Sequence, residues 1–84
     1  MKLTIDKFIH YIAQGREIEF SFNNRDYFIS PNHEKENSFF LEIDNYGKWT
    51  EIFNGTVEDF FAFKFEEKYI CEKYFCMIDF QYIL

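Results

Sequence analysis

Residues 16–31, REIEFSFNNRDYFISP, decide the fold. Ile18, Phe20 and Phe22 alternate with Glu17, Glu19 and Ser21, the pattern of a strand with one buried face. Asn23 and Asn24 follow, and Asn tolerates the positive φ of tight turns better than most residues. Tyr27 and Ile29 then resume the apolar alternation, so the stretch reads as a β-hairpin. A two-residue loop at Asn24 and Arg25 sets Phe22 opposite Tyr27 and Phe20 opposite Ile29, with all four side chains on one face. Pro31 cannot donate to a ladder, so it ends the second strand or marks an edge.

On the N-terminal side, residues 4–14 have a helical period. Ile5, Phe8, Ile9 and Ile12 fall on one face, the spacing of an amphipathic helix. Thr4 suits the N-cap, Asp6 the positive helix start, and Gly15 the C-terminal stop. On the C-terminal side, residues 32–38, NHEKENS, read as an exposed loop. Residues 39–44 form a third strand, with Phe39, Leu41 and Ile43 alternating with Phe40, Glu42 and Asp44. A three-residue loop at Asn45, Tyr46 and Gly47 opposes Ile43 to Trp49 in a fourth strand over residues 48–53. A two-residue loop at Tyr46 and Gly47 instead flips Trp49 and Phe53 to the other face. Asn54 and Gly55 are expected to break the pattern.

Thr56 then begins a short helix, with Asp59 placed for a capping box. Val57, Phe60 and Phe61 face the core, Phe65 extends that stripe, and Phe63 falls off it. A third helix is expected over residues 69–76. The tail IDFQYIL alternates Ile78, Phe80 and Tyr82 with Asp79 and Gln81, which makes it a terminal strand. The order is α-β-β-β-β-α-α-β. The expected fold is a single α+β domain, an antiparallel sheet of four to five strands with helices on one face.

With 84 residues the chain has room for one small core, and its 24% aromatic content suits that limit because each ring buries a large area. The net charge of −6, spread over both halves, argues against direct nucleic-acid binding, because such a surface repels phosphates. No apolar run is long enough for a membrane span. The first residues carry Asp6 within their apolar pattern and lack a signal-peptide core, so a cytoplasmic protein is expected. Cys71 and Cys76 diverge by about 140° on a helix, have no second pair to complete a zinc site, and read as free thiols. The three glycines are isolated turn residues, so no phosphate-cradling loop exists. No serine has a nucleophile context, and neither His10 nor His33 has convergent ligands. No catalytic, metal or cofactor residue is assigned, and the chain is read as a non-enzyme.

One surface stands out. The outer face of the sheet is expected to carry Glu17, Glu19, Phe28, Phe40, Glu42, Asp44 and Ile52. Exposed Phe among carboxylates can anchor a protein partner with a basic surface. The competing readings are a solvated strand face, a second layer or a homodimer partner that covers the aromatics, and a small enzyme or ligand-binding domain with an unrecognised site.

The runs FIHYIAQGREIEFSFNNRDYFIS at 8–30, TVEDFFAFKF at 56–65 and IDFQYIL at 78–84 resemble small acidic proteins of low-GC Gram-positive bacteria and their phages and mobile elements. Heavy use of Phe, Ile, Lys and Asn agrees with an AT-rich source. In size and charge such proteins are similar to host-defence inhibitors, including anti-CRISPR proteins and DNA mimics. The resemblance implies an inhibitor of a nucleic-acid-binding or defence protein. It carries no functional residue with it.

Overall fold

The computed structural model describes all 84 residues. Helix α1 (Ile5–Ala13) leads into four sequential strands, β1 (Ile18–Phe22), β2 (Arg25–Pro31), β3 (Ser38–Asn45) and β4 (Lys48–Thr56). Helix α2 (Val57–Ala62), a two-strand ribbon of β5 (Lys64–Phe65) and β6 (Tyr69–Ile70), and helix α3 (Cys71–Tyr74) follow. A 3₁₀ turn (Phe75–Met77) then delivers the chain to β7 (Asp79–Ile83). The main sheet is antiparallel, ordered β4-β3-β2-β1-β7. The fold is α+β, and the element order matches the expected one except for the added ribbon.

Helix α1 is capped as its sequence implies: Thr4 Oγ1 accepts from the Lys7 amide at 3.1 Å. Gly15 takes φ +72° after the last turn, where a side chain would be strained. Phe8 and Ile12 are buried, while Ile5 and Ile9 stay exposed, so the helix buries a narrower stripe than its pattern offers. The Phe8 ring meets Phe39, Phe60, Phe61, Phe75 and Phe80 at centroid distances of 5.4 to 6.3 Å. Rings from α1, α2, the 3₁₀ turn and two strands thus meet in one cluster. Aromatic pairs of this kind add roughly 0.5–1.5 kcal/mol each beyond the area they bury.

The central hairpin differs from expectation in its loop. Asn23 and Asn24 both take positive φ, at 52° and 62°, and form the loop themselves. Phe22 therefore opposes Arg25, and Phe20 opposes Tyr27. The two Asn accept the backbone of a primed turn, and Arg25 is released to the strand. The pairing moves by two residues, so every side chain keeps its expected face.

The β3–β4 hairpin closes on Tyr46 and Gly47, with φ 56° and 87°, and Asp44 Oδ1 accepts from the Gly47 amide at 2.8 Å. Of the two alternatives, the shorter loop is the one formed. It sets Trp49 opposite Asp44, on the outer face. A register shift beyond Glu51 then leaves Ile52 without a partner and sets Phe53 opposite Leu41. Phe53 therefore returns to the core side, against Phe39, Phe60 and Phe63. The short loop flips Trp49 alone, because the bulge undoes the flip for Phe53. Ile52, expected on the outer face, instead joins Tyr27, Ile43 and Phe63 around a cleft on the helical side.

Asn54 and Gly55 do not break β4; they pair with Phe40 and Phe39. The strand runs directly into α2 through a full capping box. The Asp59 amide donates to Thr56 Oγ1 at 3.2 Å, and the Thr56 amide donates to Asp59 Oδ2 at 3.1 Å. The bond from the Thr56 amide, and after it the Thr56 hydroxyl, hold the Asp59 carboxyl below the usual carboxylate range. Helix α2 stops at Ala62, so helical spacing no longer governs Phe63, which packs on Phe53, Phe60 and Phe65 after all. The expected third helix is shorter: residues 69–70 belong to the ribbon, and only Cys71–Tyr74 are α-helical.

Gly55 makes a test of this junction. A Cβ there would lie 2.9 Å from Asp59 Oδ2 and 3.0 Å from Phe53 Cζ. Gly55→Ala should lower stability by about 1–2 kcal/mol through loss of the cap and local crowding. In an Asp59→Ala background the same change should cost less, since one of the two closest atoms is gone. Urea unfolding of the four proteins of this cycle measures the difference, and strict additivity would remove Asp59 from the explanation.

Candidate functional site

All the helices lie on one side of the sheet, and no layer covers the other. One row of directly opposed residues crosses all five strands: Tyr82, Glu19, Phe28, Glu42 and Glu51. At the usual strand spacing this row is about 19 Å wide. Beside it, Phe40 stands between Ser30 and Asn54, and Asp44 stands opposite Trp49. The Phe28 and Trp49 rings lie 6.0 Å apart, tilted by 53°.

Five of the six residues assigned from sequence are therefore gathered on one surface: Glu19, Phe28, Phe40, Glu42 and Asp44. Glu17 lies just before β1, exposed, with its carbonyl accepting from the Leu84 amide at 2.8 Å. It stands at the margin of the face. Asp26, opposite Ser21, belongs to the face as well. Two aromatics that the sequence pattern does not assign to this face complete it. Trp49 is outward because of the short turn. Tyr82 is outward, and 60% exposed, because a register shift at Gln81 sets it opposite Glu19.

The charges on this surface are not neutralised. No Lys or Arg occupies an outward position on its strands. The one ion pair in the protein joins the Met1 amino group to Asp79 at 2.7 Å. That hydrogen bond and the amino charge hold the Asp79 carboxyl below the usual range. Glu19, Asp26, Glu42, Asp44 and Glu51 have no cationic partner. Glu42 and Glu51 stand directly opposite each other across β3 and β4. Like charges in that position are destabilising. The arrangement suits a guanidinium or ammonium group with an apolar stem. The stem would lie over Phe28 or Trp49, and the charged head would reach the neighbouring carboxylates.

Elsewhere the titratable groups do not converge. No three of His, Cys, Asp and Glu stand close enough to hold a metal ion. Cys76 is exposed, and Cys71 is buried with its thiol pushed up to about 12 by burial and, to a lesser extent, by Glu72. Such a thiol is a core side chain and not a nucleophile. His33 is exposed in the β2–β3 loop. No helix is long and apolar enough to cross a membrane. No protein-family model, curated protein or solved structure matches this chain.

Proposed function

We propose that this chain is a non-enzymatic protein-interaction module whose outer sheet face receives a basic surface of another protein. The observation that carries the reading is the row Tyr82–Glu19–Phe28–Glu42–Glu51, uncovered and without a counter-charge. Opposed Glu42 and Glu51 cost stability in the free chain, and a cationic partner relieves that cost. Carboxylates gathered on one face can stand in for the negative charge of a phosphate backbone, so a nucleic-acid-binding or defence protein is the target class. The chain would then act as an inhibitor, in keeping with its resemblance to mobile-element proteins.

The test uses the partner captured on the immobilised chain. Glu17, Glu19, Glu42 and Glu51 are reversed together to Lys. Asp44 is spared because it holds the β3–β4 turn. The reversal should slow association about tenfold or more, and added salt should slow the native chain in the same way. Phe28→Ala should instead speed dissociation, by an amount worth about 2 kcal/mol if the ring is an anchor. A partner indifferent to salt, to the reversals and to Phe28 would remove the outer face from consideration.

A further inference from the structure

The sheet has two edges, and only one is covered. Along β7, the Phe80 amide donates to the Met1 carbonyl at 2.8 Å, and the Met1 nitrogen donates to the Phe80 carbonyl at 2.8 Å. That exchange occupies outward groups of this edge strand. β4 pairs with β3 alone along its length. A strand edge of this kind is a template for another strand.

The hairpin fixes which backbone groups are free. Asn45 and Lys48 flank the two-residue loop, so they exchange both of their bonds with each other. Trp49 is then a non-bonded position, and its N–H and C=O point away from β3. Thr50 points inward, and Glu51 points outward again. The bulge at Ile52 ends the regular stretch. The unpaired backbone groups thus belong to Trp49 and Glu51, two residues whose side chains lie on the acidic aromatic face. On the other side of the same edge, Ile52 is 38% exposed and, with Ile43 and Phe63, forms the apolar wall of a cleft of about 420 Å³ under the sheet, closed on its remaining sides by Arg25, Lys64, Glu66 and Glu67.

We infer that β4 binds an extended peptide segment by strand addition, and that the segment alternates cationic with aliphatic side chains. The cationic set would lie beside Trp49 and Glu51, and the aliphatic set beside Ile52. The inference rests on the acidic-face reading and adds to it the manner of docking. A second copy of this chain is the poorer occupant. Edge-to-edge pairing would join the acidic faces of two molecules, each of net charge −6.

The probe is an end-blocked heptapeptide alternating lysine and valine, titrated into the full chain and followed by amide resonances and hydrogen exchange. Binding should slow exchange of the Trp49 and Glu51 amides. Glu51→Pro removes one outward donor at a position where an edge strand tolerates proline, and should weaken binding about tenfold. Glu51→Gln keeps the donor and should weaken it about threefold or less. Two further peptides, N-methylated at every lysine or at every valine, make the same test with the protein unaltered, should Glu51→Pro melt the fold. Failure of one methylated form alone supports strand addition, the lysine form marking an antiparallel strand and the valine form a parallel one. Equal behaviour of the two forms overturns it, and so does a parent peptide that does not bind. The salt and reversal measurements on the captured partner decide the acidic face independently.

Discussion

Phe20→Ala should destabilise the protein by about 3–5 kcal/mol, whereas Glu19→Ala, one residue away, should change stability by about 0.5 kcal/mol or less. Phe20 has no exposed surface. Its ring stacks on Tyr27 at 5.1 Å and 10°, and meets Phe65 and Phe80 at 6.1 and 5.6 Å. It lies on β1, between β2 and β7, so three strands and the ribbon lose contacts when it is truncated. The rings around it are fixed from several elements and cannot collapse far into the space left. A domain of this size holds roughly 4–13 kcal/mol in total, so the variant is expected to be partly unfolded at room temperature. Urea unfolding of both variants measures the contrast. Comparable losses from the two would mean that the faces of β1 are assigned the wrong way round.

That contrast is legible in the sequence because alternation is a strong signal where one face is buried and the other wet. The same logic places β2 and β3, and the helical period of α1 yields its buried Phe8 and Ile12. Turn chemistry is harder to read. At Asn23-Asn24 the pairing differs from the pattern's by two residues, which moves no side chain across the sheet. Tyr46-Gly47 is open to two readings, and a change of one residue there does move side chains across. The two bulges leave no signal in the composition. Ile52 and Gln81 are ordinary strand residues, and what makes them extra is the register of the partner strand. The ribbon of β5 and β6 is hidden for a similar reason. Its turn requires positive φ at Glu66 and Glu67, at 55° and 58°, residues that do not announce such a conformation.

The candidate surface inherits these strengths and failures. Glu19, Phe28, Phe40, Glu42 and Asp44 come from strands whose registers follow from the pattern, and sequence alone places them together. It leaves Trp49 open between two loops and turns Tyr82 the wrong way, because each follows a feature that a single strand cannot reveal. The three-residue loop puts Phe53 in the core, and it is there, though through a bulge that the pattern does not contain. Lack of counter-charge on the face is a spatial fact. The nine Lys and Arg are present in the sequence, and only the fold shows that none of them points outward from those strands.

Alkaline pH should lower the stability of the protein over two overlapping ranges, and buried groups decide where they fall. The Cys71 thiol is raised by burial from 9.0 to about 12. The Tyr27 hydroxyl is raised from 10.0 to about 12, by burial first and then by the charge of Glu66, with Arg25 opposing. Both residues have no exposed surface, and the Tyr27 hydroxyl has no hydrogen-bond partner. Above pH 9 the unfolded chain releases the thiol proton while the folded chain keeps it, and above pH 10 the same holds for the phenol. Fewer protons on the unfolded chain mean that stability falls as pH rises. The contribution is whole below pH 9 and is lost as pH passes through about 12. Holding one such proton costs the folded chain about 1.4 kcal/mol for each pH step between the ordinary and the raised value. The loss is therefore of the order of several kcal/mol, comparable with the whole stability of a domain this small. Urea unfolding with reductant present, repeated between about pH 8 and 11, should show the decline. Cys71→Ala should flatten its first part. Tyr27→Phe should flatten the part above pH 10 and, by removing a buried unpartnered hydroxyl, should leave neutral-pH stability equal or about 1 kcal/mol higher. General repulsion in an acidic protein also grows with pH, but both variants share it, so their slopes isolate the two buried groups. A native chain whose stability stays level to pH 11 would mean that water reaches Cys71 and Tyr27, and that the aromatic core is looser than its ring contacts indicate.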